Sequence, residues 1–117
     1  MTTRGTINLE QAKVLDHQSF PGDQYILRLH APATAAEAKP GSFVHLRCDP
    51  ALPMRRPMSI MRVNPKAGYV DILYKAHGLG TRQLSKRQPR ELLSLMGPIG
   101  VPFKLENYKK RPLLIGL

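Results

Sequence analysis

The sequence predicts an all-β domain, a small antiparallel barrel of six short strands with one short helix. Two observations predict it. Runs of alternating apolar and polar residues recur at close spacing with turn residues between them. In addition, 9 Gly and 11 Pro among 117 residues favour short elements and tight connections over long helices.

The clearest strand is Gln24–His30, where Tyr25, Leu27 and Leu29 share one face. Ser42–Cys48 sets Val44, Leu46 and Cys48 against Phe43, His45 and Arg47. Tyr69–Ala76 sets Val70, Ile72, Tyr74 and Ala76 against Tyr69, Asp71, Leu73 and Lys75. Further strands are expected at Gly5–Leu15, Met58–Asn64 and Glu91–Met96. Between them lie Phe20-Pro21-Gly22-Asp23, Lys39-Pro40-Gly41, Asp49-Pro50 with Leu52-Pro53, and Asn64-Pro65-Lys66-Ala67-Gly68, whose residues fix φ or allow it to be positive. The helix is expected from Thr81 to about Lys86, with the Thr81 hydroxyl as its cap. Ala31–Lys39 is alanine-rich, but prolines on both sides favour a surface excursion.

A chain of 117 residues supports one core and is too short for a catalytic domain plus a full dinucleotide-binding domain. The first six residues lack the apolar core of a signal peptide and no later run reaches the length of a membrane span, so the expected location is the cytoplasm. The single Cys48 excludes an internal disulfide and an all-cysteine metal site within the chain. A formal charge of +10 calls for an anionic partner, and nucleic acid, a nucleotide cofactor and an acidic protein all qualify; solubility alone also accounts for such an excess.

The residues with chemical content lie in the second half. Arg56 can hold pyrophosphate oxygens through charge-assisted hydrogen bonds, and Pro57 biases it toward an extended backbone. Met58 is polarizable and suits an aromatic face, while Ser59 is a small hydrogen-bonding group for the edge of such a ring. Gly78 and Gly80 permit close backbone approach, and Thr81 with the start of a helix suits an anion. Together these features fit a pyrophosphate joined to a polar aromatic ring, as in a flavin dinucleotide. His17, His30, His45 and His77 show no metal-ligand spacing and read as structural or surface residues, and neither Ser59 nor Thr81 has partners for nucleophilic hydrolysis.

Pro40-Gly41-Ser42-Phe43-Val44, Arg55-Arg56-Pro57-Met58-Ser59-Ile60, Gly78-Leu79-Gly80-Thr81-Arg82-Gln83-Leu84 and Gly97-Pro98-Ile99-Gly100 occur in an order and spacing that resembles the FAD-binding barrel of the ferredoxin–NADP reductase superfamily. Within it, the electron-transfer subunits of NAD-dependent dihydroorotate dehydrogenases are most similar. The resemblance implies a six-stranded antiparallel Greek-key barrel holding FAD, with Arg56 on the pyrophosphate, Met58 and Ser59 beside the isoalloxazine, Leu73, Tyr74 and Lys75 bordering the ring, and Gly80 with Thr81 at the phosphates. It also implies hydride exchange with NAD on a second domain, a [2Fe–2S] cluster, a dihydroorotate dehydrogenase catalytic subunit as partner, and a hetero-oligomer.

On this reading residues 1–110 form the FAD-binding barrel, and 111–117, with Leu113–Leu117 apolar, form the first strand of a nicotinamide-nucleotide-binding domain that is cut short. The cysteine cluster of the family is absent from these residues, which are expected to be inactive alone. Arg90 stands at a turn position where the family usually has glycine, so a positive φ there would cost stability. Two other readings stay open. Related NAD(P)H-dependent reductases share the barrel, and a basic barrel could bind single-stranded nucleic acid or dock to a protein. The nucleic-acid reading is poorly supplied, since aromatic residues are 6% of the chain and there is no Trp.

Overall fold

A computed structural model describes residues 7–103 and Leu113. Seven strands and two short helices follow one another as β1 (Asn8–Phe20), β2 (Gln24–His30), α1 (Pro32–Glu37), β3 (Phe43–Leu46), β4 (Arg56–Ser59), β5 (Arg62–Asn64), β6 (Tyr69–Lys75), α2 (Leu79–Leu84) and β7 (Leu92–Ile99). All pairings are antiparallel, in the order β4-β3-β7-β1-β2-β6-β5.

That order makes the sheet curl. β4 and β5 lie at opposite edges yet only Ile60 and Met61 separate them, and three peptide links span at most about 11 Å. The two edges must therefore meet, and the Met61 amide donates to the Asp71 carbonyl of β6 at 2.8 Å. The all-β, barrel-like class follows the sequence. Among the described residues the strands number seven and not six, because the expected run Met58–Asn64 breaks at Ile60-Met61 as it turns from one edge to the other.

The alternating patterns place the core. Leu27, Leu29, Val44, Leu46, Val70, Ile72 and Leu95 are fully buried, joined by Ala12, Val14, Leu93 and Cys48. Asp71, on the outer face of β6, is buried too. The Arg28 guanidinium grips its carboxylate in two contacts of 2.8 and 3.1 Å and stacks 3.9 Å over the Tyr69 ring, and Arg62 adds a third contact at 3.0 Å.

Three expectations need correction. Ala31–Lys39 contains a helix, α1, because Pro32 occupies its first turn, where no amide is needed, and Glu10 of β1 caps it. The Glu10 carboxylate accepts from the Ala33 and Thr34 amides and from Thr34 Oγ1 at 3.1, 2.9 and 2.6 Å. The second helix starts at Leu79 with Gly78 as its N-cap, so Thr81 lies inside the first turn. β1 runs on to Phe20, past an irregularity between Val14 and Asp16, since its polar second half pairs with all of β2.

Arg90 has φ +81°, as the glycine argument anticipated, and its amide donates to the Val14 carbonyl at 2.8 Å. The expected strand at 111–117 lies outside the described residues, apart from Leu113.

Candidate functional site

The curled sheet does not close evenly. β5 pairs with β6 only along Tyr69–Asp71, so Ile72–Lys75 have no strand on that edge. Across from them, β4 is paired on one edge only, by β3. The seam between these two half-satisfied edges is a cleft of about 230 Å³ lined by Arg56, Pro57, Met58, Ser59, Leu73, Tyr74, Lys75, His77 and Thr81. Backbone amides and carbonyls left over from two strands border the cleft here, and Leu73, half exposed, supplies an apolar wall.

A second cleft of about 310 Å³ continues beyond Arg56 and is bounded by Leu52–Met54 and by His77–Thr81. Arg56, His77 and Thr81 line both. Arg56 makes no ion pair among the described residues, and its aliphatic stem crosses Gly80. A Cβ at Gly80 would stand 3.1 Å from Arg56 Cγ and 3.3 Å from Cδ. Glycine is thus what lets the helix start and the arginine approach one another.

The arginine doublet divides its work. Arg55 turns to the other side of β4, where it donates to the Ser94 carbonyl at 3.0 Å and to Ser94 Oγ at 2.7 Å. Arg56 is left with an uncompensated charge at the junction of the clefts. That charge also reaches Cys48, where it opposes the burial that pushes the thiol up.

Thr81 is nearly buried, and its Oγ1 accepts from the His77 and Gly78 amides, both at 3.1 Å. The hydroxyl shapes the turn from within. The first-turn amides of α2, which have no intrahelical acceptor, are what the turn can offer an anion. Met58 and Tyr74 are equally buried against the core, each reaching the cleft with a small part of its surface, whereas Pro57, Ser59 and Lys75 are exposed.

Tyr74 is held from behind. Its hydroxyl lies 2.7 Å from His17 Nε2, His17 Nδ1 lies 2.9 Å from the Arg87 carbonyl, and the Tyr74 ring stacks on Tyr25 at 5.3 Å. A carbonyl can only accept, so Nδ1 carries the proton of the neutral imidazole and Tyr74 donates to Nε2. Burial pushes the Tyr74 phenol well above its usual range.

All ten residues singled out from the sequence lie at these clefts: Arg56, Pro57, Met58, Ser59, Leu73, Tyr74, Lys75 and Thr81 at the seam, with Gly78 and Gly80 in the continuation. Sequence reasoning missed His77, which lines both clefts, and the apolar rim of Leu52, Met54 and Leu79. The position of His77 next to Gly78 was the available signal. Among the described residues no group of three or more His, Cys, Asp or Glu side chains could hold a metal ion, and no helix is long and apolar enough to cross a membrane.

An open seam with unpaired strand edges, an unpaired arginine and a glycine cradle at a helix start fits a flavin dinucleotide. No protein-family profile matches the chain. It superposes on the NADH-dependent reduced ferredoxin–NADP oxidoreductase with a TM-score of 0.77 at 26% identity, over 85% of this chain and 37% of that one. The ferredoxin reductase of carbazole 1,9a-dioxygenase gives a TM-score of 0.70 at 24% identity, over 80% of this chain and 29% of that one. The chain has the fold of the ferredoxin–NADP reductase-like FAD-binding barrels.

Within that class its sequence is similar to electron transfer subunits of dihydroorotate dehydrogenase B (NAD(+)). It is 40% identical to that of Desulforamulus reducens over 98 residues, 80% of this chain and 37% of the relative. With that of Geobacillus sp. it shares 34% over 113 residues, 92% of this chain and 43% of the relative. The chain thus spans about two fifths of the length of these relatives.

Proposed function

We propose that the chain is the FAD-binding barrel of an electron-transfer flavoprotein subunit that passes electrons between a dihydroorotate dehydrogenase catalytic subunit and NAD, in pyrimidine biosynthesis. The observation that carries the flavin part is the seam between β4 and β6, with Arg56 over Gly80 at its end. The catalytic partner and NAD rest on the similarity to the dihydroorotate dehydrogenase B subunits.

In this reading Arg56 neutralises the pyrophosphate, and Gly78 and Gly80 let the phosphates approach the first-turn amides of α2. Pro57 holds β4 extended on the rim. The free edges of Ser59 and of Leu73–Lys75 meet the hydrogen-bonding edge of the isoalloxazine, while Met58, Leu73 and Tyr74 supply apolar contact. The Tyr74 hydroxyl, turned away to His17, is not the group that meets the ring edge. The bound flavin supplies the one- and two-electron chemistry; the barrel binds it, orients it and keeps one side of it from water. Residues 111–117 begin the nicotinamide-nucleotide-binding domain, through which NAD would be reached.

The partner assignment is tested by co-expressing the chain with a dihydroorotate dehydrogenase B catalytic subunit and purifying the complex. Co-elution with FAD retained supports the assignment. A flavin-loaded chain that leaves the catalytic subunit behind would transfer the reading to another NAD(P)H-dependent reductase.

A further inference from the structure

Apart from the seam and its continuation, a cleft of about 200 Å³ is lined by Gln11, Arg47, Pro50, Leu92, Leu93 and Ser94. It is built on paired strands. Gln11 lies opposite Ser94 and Lys13 opposite Leu92 in the β1–β7 ladder, and the Arg47 amide donates to the Ser94 carbonyl at 3.0 Å.

Two guanidinium groups converge on this place. Arg55 holds Ser94 through its carbonyl and its hydroxyl, and Arg47 lines the cleft itself. Among the described residues neither arginine has a carboxylate within ion-pair distance. Asp49, two residues from Arg47, is committed to Arg87 at 3.4 Å and to the Ala51 amide at 2.8 Å.

Arg47 is also poorly satisfied. Among the described residues its buried Nε has no hydrogen-bond partner, and its side chain makes one hydrogen bond, from Nη2 to the Pro53 carbonyl at 3.5 Å. A charged group drawn out of water with its donors unpaired is costly unless an acceptor takes them. The chain elsewhere gives its buried charges partners, as at Asp71. Lys13 on the same outer face adds to the positive field.

We propose that this cleft is a binding site for a small oxyanion, a carboxylate or phosphate group, held chiefly by Arg47 with Gln11 and the Ser94 hydroxyl beside it. The buried Nε is out of reach of the cleft, so the Nη groups of the planar guanidinium are the donors that suit two oxygens of one anion. The site is distinct from the flavin seam. The cleft shares no lining residue with the seam or with its continuation beyond Arg56.

The test follows the arginine Nε–H resonances of the full chain as inorganic phosphate, and in a second arm acetate, replaces chloride at constant ionic strength. A saturable shift of the Arg47 resonance with either anion supports the site, and the ratio of affinities says whether phosphate or carboxylate is preferred. In Arg47→Gln, followed instead through the Ser94 backbone amide resonance, binding is expected to weaken at least tenfold. Gln11→Glu, which places a carboxylate in the cleft without a change of size, is expected to abolish the phosphate response and raise Tm. A linear drift with both anions, or a Gln11→Glu chain that binds phosphate as the parent does, would overturn the proposal.

Discussion

Arg56 lies across Gly80 so closely that a Cβ on the glycine would meet the arginine stem at 3.1 Å. Two segments far apart in sequence, the entry to β4 and the first turn of α2, are locked to one another by what Gly80 lacks. The guanidinium beyond that contact stands where the two clefts join.

Gly80→Ala should therefore displace Arg56 without unfolding the barrel, because the atoms it meets belong to a flexible side chain. FAD affinity is expected to fall roughly tenfold, about 1.4 kcal/mol. Arg56→Ala removes the charge itself and should cost about 1.5–3 kcal/mol, roughly ten- to a hundredfold. Titration of each variant with FAD checks both, and an unchanged Arg56→Ala affinity would remove that arginine from the site.

Arg90 at φ +81° holds a conformation that costs an L-residue about 1–2 kcal/mol and glycine little. Arg90→Gly regains part of that, after the extra freedom of glycine in the unfolded chain. Urea unfolding should show a gain of about 0.5–1 kcal/mol, and a loss would mean that the side chain makes contacts which outweigh the strain.

Asp71 is buried beneath two arginines, so Asp71→Asn leaves Arg28 and Arg62 without their counter-charge. Both guanidiniums are partly exposed and water offsets some of the loss; about 2 kcal/mol is expected. Denaturant midpoints measure it, and an unchanged midpoint would show the triad to be neutral.

Tyr74 gives a dependence on alkaline pH. Its phenol is raised above the value near 10.0 expected for the unfolded chain, so the folded state keeps the proton when the unfolded state has released it. Unfolding is then favoured as pH rises. The contribution is fully present below about pH 10 and is lost progressively above it. Tyr74→Phe should flatten this alkaline decline while costing stability at neutral pH, since His17 Nε2 loses its donor. A decline equally steep in Tyr74→Phe would place its origin elsewhere.

Where both site and fold were legible in the sequence, local chemistry sufficed. The two-residue period of Gln24–His30 and Ser42–Cys48 put Leu27, Leu29, Val44, Leu46 and Cys48 inside, as found. Arg56, Met58 and the glycines of Gly78-Leu79-Gly80 were marked by their residue types. What escaped was set by distant contacts. The cap of α1 comes from Glu10, more than twenty residues earlier, so within Ala31–Lys39 the alanines hinted at a helical turn and the flanking prolines argued against it. The break at Ile60-Met61 arises from closing the sheet, which no local pattern records.

The central claim is tested most directly by the visible absorption spectrum of the purified chain, before and after FAD is added, with the released cofactor identified chromatographically. The account predicts the bands of an oxidised flavin, saturation at one FAD per chain, and their loss at the same FAD concentration in Arg56→Ala. A folded chain that stays colourless and binds neither FAD nor FMN would contradict it.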